Sequence, residues 1–232
     1  MDWMHLCLLI LASLSGTFTQ ENLHGKVFIF PKASKTAYVI LKARPEQPLQ
    51  NFTICLRAAT DLTRAHSLFS YAAKTKDNEL LLFKRKPGEY ALYIGGETAT
   101  FMVPEKDSSY ATTRTGWDHI CASWESATGI AEFWVNGYPL ARKGLKMGYS
   151  ITAEPFIVLG QEQDSYGGGF DVSQSFVGEI ADVYMWARIL SPDEISLVVS
   201  NSILSNYLIN WRALSYEIKD YVVIKPSLLH VY

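Results

Sequence analysis

The chain has 232 residues, 48% of them apolar, and a formal net charge of −2. That is enough for one domain with a sizeable core, or two very small ones. The balance of charge argues against a nucleic-acid binder, which would carry a basic stripe, and no apolar run approaches the about 18 residues of a bilayer-spanning helix, so membrane insertion is not expected.

Leu6 to Leu14 ("LCLLILASL") form an apolar run that fits the h-region of a signal peptide. Residues 1–19 therefore read as a secretory signal cleaved after Thr19, with a mature, extracellular domain over 20–232. Its removal discards Cys7 and leaves Cys55 and Cys121. An even pair in an exported protein reads as a disulfide, with two buried free thiols as the alternative. Asn51, in "NFT", is a candidate glycan site on an exposed edge.

The rest reads mostly as short strands. "KVFIF" (26–30), "AYVILKA" (37–43), "FTICLRA" (52–58), "SLFSYA" (67–72), "ELLLFK" (79–84) and "YALYIG" (90–95) are rich in aromatic and β-branched residues, and turn residues separate them. Ile120 to Trp124 and Ile130 to Val135 are two further strands, and Asn136-Gly137 supplies a type I′ hairpin into Tyr138 to Arg142. "PFIVLG" and "FVGEIADVYMWAR" add two more. One helix is signalled by "SPDEISLVVS", with Ser191 at the N-cap, Pro192 at the first helical position and Glu194 completing a capping box. About a dozen short strands with one helix predict an all-β sandwich of jelly-roll type. The helices that a parallel α/β sheet requires are missing.

The stretch "LGQEQDSYGGGFDVSQSFVGE" (159–179) concentrates the chemistry. Glu162, Asp164, Asp171 and Gln174 share one glycine-rich loop that holds no lysine or arginine. Asp77-Asn78, at the start of "ELLLFK", is a second oxygen-rich pair. In a sandwich, strand ends remote in sequence meet on one edge, so the two clusters could face each other. A hard divalent cation such as calcium takes six to eight oxygen ligands and would relieve the repulsion among these acids. A solvated acidic loop is the plain alternative. EF-hand and zinc patterns are absent, and His24, His66, His119 and His230 show no ligand spacing.

Catalysis has less support. Jelly-roll glycoside hydrolases can carry acids at alternate positions of one strand, but Glu162 and Asp164 are followed at the next alternate position by Tyr166. Beside the oxygen cluster, Leu81, Phe83 and Tyr93 are candidates for an outward apolar platform that would hold the far end of a small amphipathic ligand. Ordinary sheet packing explains the same pattern.

At "HICASWES", His119, Cys121, Ser123, Trp124 and Ser126 match the pentraxin signature H-x-C-x-[ST]-W-x-[ST]. "GKVFIFP", "SLFSYA", "DNELL", "GIAEFWVNG", "IVLGQEQDSYGGGFD", "QSFVGEI" and "NWRALSYEIKDYVVIKP" extend the likeness over nearly all of the mature chain. The sequence thus resembles the short pentraxins. That resemblance implies a flattened β-jelly roll with one helix on the face away from the ligand, a homopentamer, and two calcium ions per protomer. It implies that Asp77, Asn78, Glu162, the Gln163 carbonyl and Asp164 hold the first ion, and Glu162, Asp164, Asp171 and Gln174 the second. It also implies a Cys55–Cys121 disulfide, a glycan at Asn51, and a ligand pocket of Leu81, Phe83 and Tyr93. Glu97 lies one position from the acid that meets a choline cation in choline-binding members, where a smaller threonine stands in place of Tyr93. The implied function is non-enzymatic: a secreted pattern-recognition lectin for phosphoethanolamine, phosphocholine or small anionic sugars on microbes and debris. Complement components are candidate partners. Two features depart from the pattern: the segment around "SSYATTRTGW" is long, and "MWAR" has alanine where an aspartate is usual.

Overall fold

The computed structural model describes residues 20–104 and 116–228, so the expected signal peptide and nearly all of "SSYATTRTGW" lie outside the described residues. In chain order the strands are β1 (Lys26–Phe30), β2 (Tyr38–Leu41), β3 (Asn51–Ala59), β4 (His66–Ala73), β5 (Lys76–Lys86), β6 (Glu89–Ile94), β7 (Glu97–Met102) and β8 (Trp117–Glu125). There follow β9 (Ile130–Val135), β10 (Tyr138–Pro139), β11 (Lys143–Gly144), β12 (Phe156–Leu159), β13 (Gly178–Trp186), the helix α1 (Pro192–Val199), β14 (Tyr207–Ile209), β15 (Tyr216–Lys219) and β16 (Val223–Pro226).

They form two antiparallel sheets. One runs β10-β9-β8-β3-β13-β1-β16, with β11 beside β9 and β14 beside β13; the other runs β15-β2-β12-β4-β5-β6-β7. The expected sandwich is therefore present. Alternation along the strands decides which side chains enter it: Leu80, Leu82, Leu92 and Ile94 join the main core, while Leu81, Phe83 and Ala91 form a separate cluster. The core is aromatic, and its buried indoles are satisfied. The Trp124, Trp186 and Trp211 ring N–H groups donate to the carbonyls of Leu145, Ser205 and Leu23. An ion pair crosses the sandwich: Lys84 of β5 approaches Asp118 of β8 at 3.1 Å, and the buried Tyr90 hydroxyl donates to the same carboxylate oxygen.

Local signals are realised closely. Asn136 and Gly137 turn β9 into β10 with φ of 54° and 85°, as a type I′ turn requires. The Ser191–Glu194 capping box forms. Arg188 grips Glu194 through both guanidinium ends, and this with the Ser191 amide holds its carboxyl at about 2. The helix is tied to the nine-stranded sheet: Arg57 of β3 donates to the Val199 carbonyl, and Thr53 of β3 bonds Arg188 and Leu190.

The acidic loop hangs from the other sheet, at the end of β12. Gly160 starts it at φ +85°, and a Cβ there would sit 2.3 Å from the Phe30 ring. Gly160→Ala is expected to lower the thermal midpoint by at least about 4 °C, from about 2 kcal/mol of left-handed strain and overpacking. An unchanged midpoint in scanning calorimetry would contradict this packing.

Candidate metal and ligand site

The two oxygen-rich segments do meet, but not by two strand ends converging. β12 ends with Leu159 opposite Phe69, whereas β5 begins with Lys76 opposite Ala73. The loop after β12 must therefore double back over the sheet, and buried Gln163 holds it there. Its amide donates to the Ser70 carbonyl and hydroxyl and to the Phe156 carbonyl, and its oxygen accepts from the Gly167 amide. The Phe176 amide closes the loop onto the Gly160 carbonyl at 2.9 Å. The result places Glu162 beside Asn78, whose Nδ2 donates to Glu162 Oε1 at 3.2 Å across 84 residues of chain.

This junction is electrostatically unfavourable by itself. Burial raises the Glu162 pKa; the Asn78 amide lowers it, and Asp164, Asp77 and Asp171 each raise it further. Asp164 is raised by desolvation and by Asp77 and Asp171. Asp171 differs. It caps the short 3-10 turn Val172–Gln174, where the Ser173 amide and hydroxyl, with Lys35 nearby, hold its carboxyl below the ordinary range. Among the described residues no three acidic, histidine or cysteine side chains close into a metal cage by themselves. Like charges keep apart, and Asp164 and Asp171 stay exposed while Glu162 is buried.

The donor chemistry nonetheless fits a hard cation. Among the described residues Asn78 Oδ1 and Gln174 Oε1 are buried acceptors with no hydrogen-bond donor, a costly state for amide oxygens. Beside Asn78 are the carboxylates of Asp77 and Glu162, with Asp164 close enough to Glu162 to raise its pKa. All these groups are oxygens, the type that calcium selects.

Several supporting residues carry no signal in the linear sequence. Glu79, fully buried next to Asn78, accepts from the Thr152 amide at 2.5 Å and the Tyr149 hydroxyl at 2.7 Å. Arg64 donates to the Ser173 carbonyl and so fixes the 3-10 turn. The loop without cations thus borrows positive charge from Lys35 and Arg64, both distant in sequence.

Leu81 and Phe83 do lie on the outward face, away from the main core, but they are covered. Tyr93 and Ala65 pack against them, leaving Leu81 1% and Phe83 7% exposed. Glu97 is not brought to this face. It pairs with Ile94, a core residue, so it leaves the sheet on the other side and binds Lys146 at 2.8 Å. The outward residue opposite Tyr93 is Thr98. Cys55 and Cys121 are bonded, directly opposed in the β3–β8 ladder. Asn51 opens β3 half-buried, while Thr53 of its sequon is buried.

The pentaxin family model matches residues 26–226. The serum amyloid P-component of Sus scrofa is 56% identical over 227 residues, 97% of this chain and 98% of the relative. The serum amyloid P-component of Homo sapiens is 54% identical over 217 residues, 94% of each chain. The mucosal pentraxin of Bos taurus is 51% identical over 228 residues, 98% of this chain and all of the relative (100%). Among solved structures, a native heptameric SAP-like pentraxin from Limulus polyphemus superposes with a TM-score of 0.78 at 24% identity, covering 90% of this chain and 98% of its own; that likeness shows the fold alone. With the family match spanning most of the chain and relatives more than half identical along it, this chain belongs to the pentaxin, or pentraxin, family.

Proposed function

We propose that the chain is a secreted, calcium-dependent recognition protein of the lectin type, without a catalytic step. The observation that carries this reading is the Asn78–Glu162 junction: two remote segments brought together, with an Asn78 oxygen that has no donor among the described residues beside carboxylates that disfavour one another's charge. Asp77, Asn78, Glu162, the Gln163 carbonyl and Asp164 would hold one calcium ion; Glu162, Asp164, Asp171 and Gln174 would hold a second. Bound calcium supplies a positively charged surface for the phosphate or carboxylate oxygens of a ligand. The protein's own groups do the rest. Gln163 and Ser70 hold the loop against the sheet. Arg64 anchors the turn that presents Gln174. Asp171, engaged by Ser173, adds charge at the rim. Tyr93, packed against the covered Leu81 and Phe83, would form the neighbouring wall that meets the rest of the ligand.

One such site binds a small headgroup weakly. A closed ring of protomers, a homopentamer by the motif resemblance, would set several sites on one face. Binding to a repetitive surface, microbial or cellular, would then exceed single-site affinity by orders of magnitude.

Retention on immobilised phosphoethanolamine in calcium, with release by a chelator, is the direct test. Retention that persists in chelator would overturn the reading. Glu162→Gln is expected to weaken calcium binding at least about tenfold in titration calorimetry, since it removes a charge shared by both ions; undiminished heat would contradict its assigned place. Tyr93→Thr is expected to open the wall over Phe83 and raise phosphocholine binding relative to phosphoethanolamine. An unchanged ratio in competition with soluble ligands would show that Tyr93 does not set the preference.

A further inference from the structure

Three observations on the outward face of β5 and β6 belong together. First, Phe83 and Leu81, the apolar floor of the proposed pocket, are nearly closed off because the half-buried Tyr93 packs against them. Second, the Tyr93 hydroxyl accepts a hydrogen bond from the Arg85 guanidinium at 3.4 Å, and Arg85 itself is steadied by Glu89 at 3.8 Å. Third, the residue facing Tyr93 on β7 is the uncharged Thr98, while its neighbour Glu97 is turned to the other side of the sheet and bound to Lys146.

Resting on the function proposed above, we propose that Arg85 is the specificity-determining positioning residue of the ligand face: it latches Tyr93 over Phe83 and sets a positive charge at the far end of the pocket, so that the protein selects small anions whose other end is hydroxyl-bearing or anionic, such as a sugar phosphate, over ligands ending in an ammonium group. An ammonium group gains from an open aromatic ring and a nearby carboxylate. Here the ring is covered by a phenol, Glu97 faces away, the Glu89 carboxylate is already paired with Arg85 and Lys86, and the guanidinium at the Tyr93 hydroxyl repels it. A sugar hydroxyl or a second anionic oxygen meets the opposite situation. It can accept from the guanidinium, which offers several donors in one plane, and it does not need Phe83 uncovered. Arg85 acts through Tyr93 and through its charge rather than by holding the metal, which separates its effect from that of the acidic loop.

The test uses the intact secreted protein in calcium and measures the affinities of mannose 6-phosphate, phosphoethanolamine and phosphocholine by titration calorimetry, alongside calcium binding itself. The wild type should prefer mannose 6-phosphate to both ammonium ligands. Arg85→Glu should leave calcium affinity unchanged, weaken mannose 6-phosphate and raise phosphocholine affinity about tenfold, because a repulsion between unit charges becomes an attraction at the protein surface. Tyr93→Phe, which keeps the ring and removes the latched hydroxyl, should raise phosphocholine affinity by a smaller factor. If Arg85→Glu binds calcium as the wild type does yet shows the wild-type order of ligands, Arg85 does not set selectivity and the inference fails while the metal reading stands. If the wild type binds no calcium, or binds calcium and none of the three phosphates, the proposed function fails and this inference falls with it.

Discussion

Carboxylates packed at one end of a β-sheet repel each other, and the geometry of this protein is arranged around that cost. Glu162 is buried, and Asp77, Asp164 and Asp171 all act to raise its pKa. What keeps it in place is not local to the loop. Gln163, the next residue, is locked by Ser70 and by the Phe156 carbonyl, so the loop cannot lift its charged residue into solvent without breaking several buried hydrogen bonds. Asn78 gives partial compensation through one N–H. Among the described residues its oxygen, and that of Gln174, have no donor. Buried hydrogen bonds thus hold Glu162 beside other acids and the Asn78 amide, the arrangement on which the proposed cation site rests.

The two sheets divide the labour. The nine-stranded sheet carries the Cys55–Cys121 bridge and α1, anchored through Arg57 and Thr53. The seven-stranded sheet carries the acidic loop and the covered apolar cluster on its outward face. Lys84 and Asp118 connect them through the interior. Truncating either partner of that pair would leave a largely buried charge behind, which typically costs about 3–5 kcal/mol.

Much of this was legible in the sequence, and the boundary has a physical cause. Signals that act within a few residues were read well: the Asn136-Gly137 turn, the Ser191 cap, and the alternation that sends Leu80 inward and Leu81 outward. The sequence does not single out β7, β11, β14, β15 and β16. They are short or half-buried, and their polar residues dilute the alternation. Residues whose meaning depends on a remote partner were silent: Glu79 with Thr152, Arg64 with Ser173, Lys35 near Asp171. Glu97 illustrates how register decides function. Counting along the chain places an acid near the pocket, yet its pairing with Ile94 turns it to the opposite face, because neighbouring positions on a strand point oppositely. The packing of Tyr93 against the Leu81–Phe83 cluster, and the bond from Arg85 to its hydroxyl, likewise depend on the β5–β6 pairing.

The central claim is that residues 76–79 and 161–174 form one cation-binding unit. Amide hydrogen exchange followed with and without calcium tests it most directly. The account predicts slower exchange confined to those two segments and their contacts at Ser70 and Thr152, rising together over one range of calcium concentration. Protection of one segment without the other, or no change in either, would contradict it.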